Sequence, residues 1–215
     1  MPALIVTIDG PGGTGKSTVS RVVAHKSGLP HLDTGALYRA ATLAVLDAGV
    51  DPTNQATVLE VVSGLRLGQE LGRTYLQGRD VSEEIRGEEV TAAVSAVSAH
   101  PRVRERLVSL QRTWVDEHDN RAVIEGRDIG SVVFPDATIK FYLDASPRVR
   151  AERRAHETGE AVDDVLEDLA RRDRLDSARE ASPLVVPDGA EVVDTSDLTF
   201  GEVVERLLTR VRARS

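Results

Sequence analysis

The feature that most constrains the fold is an apolar segment that leads directly into a glycine-rich loop and then into a helix. Residues 3–8 read Ala-Leu-Ile-Val-Thr-Ile, which is typical of a buried strand in a parallel sheet. Residues 10–17 read Gly-Pro-Gly-Gly-Thr-Gly-Lys-Ser, and the helical pattern after them should end at Gly28. This succession predicts a phosphate-binding loop at the carboxyl end of a sheet strand.

The loop predicts binding of a nucleoside triphosphate through its phosphates. Its glycines let successive backbone amides face a phosphate, and the helix N-terminus adds its positive dipole. We expect Lys16 to contact the terminal phosphates and the Ser17 hydroxyl to ligate Mg²⁺. The expected phosphate contacts are Gly10, Pro11, Gly12, Gly13, Thr14, Gly15, Lys16, Ser17 and Thr18.

Apolar segments and helical patterns alternate along the rest of the chain, which predicts further βαβ units. Core strands are expected at 122–125, 138–143 and 191–194, and polar loops follow the first two, where an open sheet binds its ligands. Helical patterns cover about 33–48, 55–63, 88–99, 101–118, 147–157, 161–174 and 199–212. Two short strands at 65–67 and 73–76, with an extended piece at 80–81, interrupt this alternation and predict an inserted lobe.

Composition excludes several classes of protein. The formal net charge of -8 argues against nucleic acid as the main partner. There is no cysteine, so disulfides and thiolate chemistry are excluded, as suits a reducing compartment. No apolar segment approaches the roughly 20 residues of a membrane span, and the start of the chain has no signal-peptide pattern. We therefore expect a cytoplasmic protein with no membrane partner.

Three classes of phosphate chemistry compete: a small-molecule kinase, a switch-type GTPase or ATPase, and a mechanical or assembly ATPase. The chain has no Asn-Lys-x-Asp guanine motif, and Val-Ile-Glu-Gly at 123–126 is a poor match to the strand of an assembly ATPase. A kinase acting on a phosphomonoester needs cations rather than a base, because that acceptor is already largely dianionic. The candidate cations are Arg39, Arg127, Arg150, Arg153, Arg154, Arg171, Arg172 and Arg174. The pattern favours a kinase.

Several motifs together resemble the bacterial cytidylate kinases, which are short nucleoside monophosphate kinases with a phosphate-binding loop. The motifs are Asp-Thr-Gly-Ala-Leu-Tyr-Arg at 33–39, Pro-Arg-Val-Arg at 101–104, Glu-Gly-Arg-Asp-Ile-Gly at 125–130, Val-Phe-Pro-Asp-Ala at 133–137, Arg-Asp-Arg-Leu-Asp-Ser at 172–177 and Ser-Pro-Leu at 182–184. The resemblance spans essentially the whole chain. It implies transfer of a phosphoryl group from ATP, with Mg²⁺, to CMP or dCMP.

The resemblance also implies an α/β fold with a five-stranded parallel core flanked by helices. It divides the chain into a core (1–35, 106–147 and 180–215), a monophosphate-binding lobe (36–105) and a short helical lid (148–179). Residues implied to bind CMP are Thr34, Tyr38, Arg39, Ser95, Arg104, Arg127, Asp128, Arg172, Asp176 and Arg179. Residues implied to be catalytic are Lys16, Arg127, Arg153, Arg154 and Arg172. Thr34 stands where many members have serine, which keeps the hydroxyl. We expect a monomer.

The choice of base can be examined from hydrogen bonding. Cytosine has an amino donor at N4 and acceptors at N3 and O2, whereas uracil has an acceptor at O4 and a donor at N3. Asp128 or Ser95 can accept from N4, and Arg104 can donate to N3 and O2. This set favours cytosine. Two alternatives stay open: a related kinase acting on shikimate or gluconate, and a nucleotide-binding regulator without catalytic activity.

Overall fold

The computed structural model describes residues 2–179 and 182–214. It divides into two compact units, which are described separately below. The loop unit comprises residues 1–31 and 115–215, and the lobe unit comprises residues 32–114. The core segments expected from the sequence extend to residues 1, 180, 181 and 215, which lie outside the described residues.

The strands and helices follow the expected alternation. The strands are β1 (Leu4–Asp9), β2 (His31–Asp33), β3 (Leu67–Glu70), β4 (Arg73–Leu76), β5 (Arg79–Asp80), β6 (Arg121–Glu125), β7 (Ile139–Asp144) and β8 (Glu191–Asp194). The helices are α1 (Lys16–Ser27), α2 (Thr34–Asp47), α3 (Gln55–Ser63), α4 (Glu88–Ala99), α5 (Pro101–Glu117), α6 (Pro147–Thr158), α7 (Val162–Ser177) and α8 (Phe200–Arg212). A 3₁₀ turn covers Glu84–Arg86, directly before α4.

The expected five-stranded sheet is confirmed, with strand order β2-β6-β1-β7-β8. β1 lies in its centre and pairs in parallel with β6 and β7, so that Val6 lies opposite Val123 on one side and Ile139 on the other. β1 is apolar and buried along most of its length because helices cover such a sheet on both faces. Its carboxyl end leads straight into the phosphate-binding loop.

Two helices of the loop unit pack against the sheet and against each other. α1 ends at Gly28, which adopts the left-handed conformation expected of a helix terminus. α8 begins with a capping box, in which Thr199 and Glu202 each satisfy the other's backbone amide. Buried side chains of both helices join those of the strands in one apolar cluster, with Phe141 at the sheet and Leu207 on α8. The cluster fixes α1, and with it the loop, on the sheet.

α6 and α7 form a hairpin that corresponds to most of the predicted lid. Ser146 caps α6 by accepting a hydrogen bond from Val149 N, and Pro147 occupies the first turn. The two helices are held together by a small apolar cluster of Ala151, Ala155, Val165 and Leu169. A cluster this small buries far less apolar surface than the main core. The division of the chain into core, lobe and lid stays a prediction.

The lobe unit contains a helical core beside a small antiparallel sheet, with strand order β3-β4-β5. The sequence placed the first of these strands at 65–67, which is wrong: β3 is Leu67–Glu70. Leu65 instead packs in the apolar core of the lobe unit. The polar residues of β3 are extended because they pair with β4. The Gln69 side-chain amide also accepts from the backbone N–H of Asp33 at 2.9 Å and donates to its carbonyl oxygen at 2.6 Å. Pairing here prevails over strand propensity.

A second difference follows β6, where the sequence indicated only a polar loop. Residues Ile129–Val133 form a π-helix, with Ile129, Gly130 and Val133 buried. A side chain at position 130 would lie 2.7 Å from Thr7 Oγ1, which explains the glycine. Such π-helices occur often at functional sites.

Candidate active site

The phosphate-binding loop requires glycine at two positions because other parts of the chain lie against it. A Cβ atom at Gly10 would lie 2.0 Å from the carbonyl oxygen of Leu143, and Gly10 has a φ of +144°. A Cβ atom at Gly13 would lie 2.8 Å from the carbonyl oxygen of Arg150, with a φ of +77°. The loop is therefore held between the end of β7 and the first turns of α6.

Lys16 begins α1 and turns back over the loop. Its Nζ donates to the carbonyl oxygen of Pro11 at 2.5 Å and lies 3.4 Å from Thr14 Oγ1. Burial, together with the nearby charge of Arg127, lowers the pKa of Lys16 to about 7, while Glu125 and Asp9 act in the opposite direction. An anion placed at this ammonium group would restore its proton.

Ser17 lies beside a buried carboxylate and an imidazole. Its hydroxyl donates to Glu125 Oε2 at 2.8 Å. The other carboxylate oxygen, Oε1, lies 3.4 Å from His31 Nε2, and that nitrogen lies 3.1 Å from Ser20 Oγ. The sequence alone indicated no role for Glu125 or His31. The available signal for Glu125 was its position at the carboxyl end of a core strand, directly before the Gly-Arg-Asp motif.

Asp9 joins the loop to the π-helix. Its two carboxylate oxygens accept hydrogen bonds from the backbone amides of Ile129, at 2.8 Å, and Gly130, at 2.7 Å. Burial raises the pKa of Asp9 to about 6, although these two hydrogen bonds oppose the shift. Asp9 thereby fixes the backbone that carries Arg127 and Asp128, a role that the sequence alone did not reveal. Asp128 itself is buried.

Arg127 connects the loop to α7. Its Nη1 donates to the carbonyl oxygen of Gly10 at 3.1 Å, and its Nε lies 3.3 Å from Asp176 Oδ2. Asp176 also binds Arg179, and Asp173 Oδ1 lies 4.0 Å from Arg127. Three of the predicted acceptor residues, Arg127, Asp176 and Arg179, are thus brought together.

The predicted catalytic arginines of the lid each contact a different partner. Arg153 donates to Thr195, at 2.9 Å to Oγ1 and 2.6 Å to the carbonyl oxygen, in the loop after β8. Arg154 donates to Glu157 on its own helix, at 3.1 Å. Arg172 pairs with Asp168 at 3.1 Å, and burial lowers its pKa.

Arg150, which the sequence indicated only as one of the candidate cations, contacts the phosphate-binding loop. It is buried and donates to the carbonyl oxygen of Gly12 at 3.1 Å and to Asp173 at 2.5 Å. Its Nε also donates to the carbonyl oxygen of Ala145 at 3.2 Å. Arg150 therefore ties α6 and α7 to the loop.

The remaining predicted acceptor residues lie in the lobe unit. The Arg104 guanidinium lies 5.2 Å from the centre of the Tyr38 ring and donates to the carbonyl oxygen of Ser98 at 3.2 Å. Arg39 donates to the carbonyl oxygen of Ile85 at 3.0 Å and to Thr91 Oγ1 at 2.8 Å. Two more members of the predicted set are Thr34, at the start of α2, and Ser95, on α4.

Across residues 2–179 and 182–214, none of the helices is long and apolar enough to cross a bilayer.

Comparison with known proteins identifies the family. A family model described as cytidylate kinase matches residues 6–213. The cytidylate kinase of Mycobacterium leprae (strain Br4923) is 50% identical over 220 residues, covering 100% of this chain and 98% of that protein. That of Corynebacterium glutamicum is 50% identical over 224 residues, covering 99% and 97%. A solved structure of an uncharacterized protein from Eubacterium ventriosum shares the fold, with a TM-score of 0.57, 12% identity and coverage of 99% and 100%. The chain belongs to the cytidylate kinase family.

Proposed function

We propose that this protein transfers the γ-phosphoryl group of ATP to CMP or dCMP, giving ADP and CDP or dCDP. An oxygen of the acceptor phosphate attacks the γ-phosphorus, and the bond from that phosphorus to the oxygen that stays with ADP breaks. One observation carries the proposal: the phosphate-binding loop, over which the half-buried Lys16 turns back, is joined directly to Arg127 and, through it, to Asp176. The family to which the chain belongs supports CMP as the acceptor.

The donor half of the reaction would be carried by the loop. Residues 10–18 would hold the ATP phosphates through backbone amides, and the ammonium of Lys16 would neutralise charge on the transferred group. The carbonyl oxygen that Lys16 now contacts, that of Pro11, is a weaker partner than a phosphate. Lys16 should therefore give up the carbonyl oxygen of Pro11 for a phosphate oxygen when ATP binds.

The residues beside Lys16 fit a magnesium ion. Ser17 Oγ is a hard oxygen donor of the kind that Mg²⁺ prefers, and its hydrogen is donated to the Glu125 carboxylate at 2.8 Å, which leaves its lone pairs for an ion. The described part of the chain has no group of three or more His, Cys, Asp or Glu side chains that could hold a metal ion. An ion there would rely on Ser17, phosphate oxygens and water. When bound, Mg²⁺ supplies positive charge that offsets the charge of the phosphates.

The acceptor half would rely on cations and on base-reading groups. Arg127, with Arg153, Arg154 and Arg172 of the lid, would bind phosphate oxygens, and no general base is required. Asp128 and Ser95 would accept from cytosine N4, and Arg104 would donate to N3 and O2. The remaining proposed CMP contacts are Thr34, Tyr38, Arg39, Asp176 and Arg179.

The setting of this reaction follows from its substrates. ATP and CMP are small molecules of the cell interior, so we place the protein in the cytoplasm. We also propose that it acts as a monomer. The acidic net charge of -8 argues against nucleic acid as a competing partner. The predicted lobe (36–105) would bind the monophosphate, and the predicted lid (148–179) would cover the phosphates.

An ADP-release assay with a panel of acceptors tests this proposal. ATP and Mg²⁺ are supplied with CMP, dCMP, UMP, AMP, shikimate or gluconate, and Lys16→Ala serves as the matched control for contaminating kinases. We expect rapid turnover with CMP and dCMP, much slower turnover with UMP, and a loss of several orders of magnitude in Lys16→Ala. Preferred turnover of a sugar acid, or no turnover of any acceptor, would refute the proposal.

A further inference from the structure

A chain of polar side chains within the loop unit leads from His31 to Ser17. The Ser20 hydroxyl donates to the carbonyl oxygen of Lys16 at 2.7 Å, so its oxygen is left to accept from His31 Nε2 at 3.1 Å. The same Nε2–H group faces Glu125 Oε1 at 3.4 Å. The other carboxylate oxygen of Glu125 accepts from the Ser17 hydroxyl at 2.8 Å.

These contacts bring together three separate elements. Ser17 lies on α1, His31 begins β2, and Glu125 ends β6, 108 residues after Ser17. The Glu125 side chain is 3% exposed and that of His31 is 14% exposed. A buried carboxylate is stable only with partners that satisfy its oxygens. The Ser17 hydroxyl holds one oxygen of Glu125 by a hydrogen bond, and His31 faces the other oxygen at 3.4 Å, a longer polar contact. These two neighbours limit the orientation of Glu125, and Glu125 in turn sets the direction of the Ser17 hydrogen.

We propose that His31 is a positioning residue that holds Glu125 against Ser17, and that this arrangement sets the affinity of the protein for the Mg²⁺ bound with ATP. A serine hydroxyl that donates its hydrogen to a carboxylate keeps its oxygen lone pairs for a cation. Mutation of a residue that hydrogen-bonds to a metal ligand typically lowers metal affinity 10- to 100-fold. The inference rests on the proposed function, because it concerns the magnesium ion of that reaction.

The test measures magnesium dependence without relying on turnover alone. For each variant, calorimetry gives the dissociation constant of ATP with Mg²⁺ and with a chelator, and the ratio of the two isolates the contribution of the metal. Glu125→Gln and His31→Phe should each reduce the gain in ATP affinity due to Mg²⁺ by about tenfold or more. His31→Gln should restore most of it, because its amide keeps a donor. His25→Phe, on the exposed last turn of α1, is the matched control.

A second measurement follows turnover against free Mg²⁺ at saturating ATP and CMP. The magnesium midpoint should rise in His31→Phe, while ATP binding in chelator stays at the wild-type value. Ser20→Ala removes the second partner of His31 and carries the same test if His31→Phe does not fold.

Two results would overturn the inference. One is a magnesium contribution to ATP affinity in His31→Phe that equals that of the wild type. The other is a His31→Phe protein that binds ATP more weakly in chelator, with an unchanged ratio of the dissociation constants in chelator and in Mg²⁺; His31 would then be merely structural. A failure of His31→Gln to restore the magnesium contribution would lead to the same conclusion. Failure of the proposed function is a separate result: the wild-type protein would bind ATP more tightly with Mg²⁺ and yet phosphorylate no CMP.

Discussion

The charge state of Lys16 gives the sharpest prediction, because ATP binding should change it. Burial lowers the pKa of this ammonium to about 7, so about nine-tenths of the protein should lack the proton near pH 8. Phosphates at the loop would stabilise the charged form and raise the pKa again. Each ATP that binds near pH 8 should therefore take up about 0.9 proton, falling to about 0.5 near pH 7.

The same linkage predicts how affinity depends on pH. Because the protonated form of Lys16 is the one that binds, the dissociation constant of ATP should rise by up to about tenfold per pH unit above 7. Calorimetry near pH 8 in two buffers of different ionisation enthalpy measures the proton uptake directly. The titration uses ATP alone, so that the acceptor contributes nothing.

Lys16→Arg is the matched control, since arginine keeps the positive charge but does not titrate in this range. Its proton uptake should fall below about 0.2, which leaves any contribution from ATP itself or from other groups. Equal uptake by the wild-type protein and Lys16→Arg would refute the reasoning. It would mean that Lys16 is already charged before ATP binds and that burial does not lower its pKa.

Three further predictions concern base selection, buried charge and the loop backbone. Asp128→Ala should lower kcat/KM for CMP and narrow the ratio of kcat/KM for CMP to that for UMP, because it removes an attraction for N4 and a repulsion of O4. Arg179→Ala, the comparison variant, should lower kcat/KM for CMP and UMP alike. An unchanged ratio in Asp128→Ala would exclude Asp128 from base recognition. Since the pKa of Asp9 is raised to about 6 from 3.8, the native state holds more protons than the unfolded chain between these values, and the free energy of unfolding should fall as pH rises through them. Across this pH range the free energy of unfolding, measured by denaturant titration, should fall by about 3 kcal/mol more in the wild type than in Asp9→Asn. Parallel curves of unfolding free energy against pH would contradict the prediction. Gly10→Ala should have a free energy of unfolding at least about 3 kcal/mol lower than the wild type, since its Cβ atom would lie 2.0 Å from the Leu143 carbonyl oxygen. A melting temperature equal to that of the wild type would count against this packing.

Much of the fold could be predicted because it depends on local patterns. The apolar run of β1, the glycine-rich loop and the helix after it occupy consecutive residues, and Gly28 ends that helix where a glycine is expected. Helices α3 and α4 have the predicted bounds. Strand β3 was misplaced because its polar residues become extended only by pairing with β4, a contact that no local pattern encodes.

The site divides in the same way. By itself, the sequence determined which residue types are present and in what order, and therefore the phosphate-binding loop, the parallel sheet and the family. Only the tertiary structure decided the partners of the buried and half-buried charges. Asp9 accepts from the π-helix, Glu125 lies between Ser17 and His31, and Arg153 donates to Thr195. Asp9 and Ile129 are 120 residues apart and Ser17 and Glu125 are 108 apart. A buried charge is stabilised by whatever group the folded chain brings within hydrogen-bonding distance, and sequence spacing does not determine which group that is.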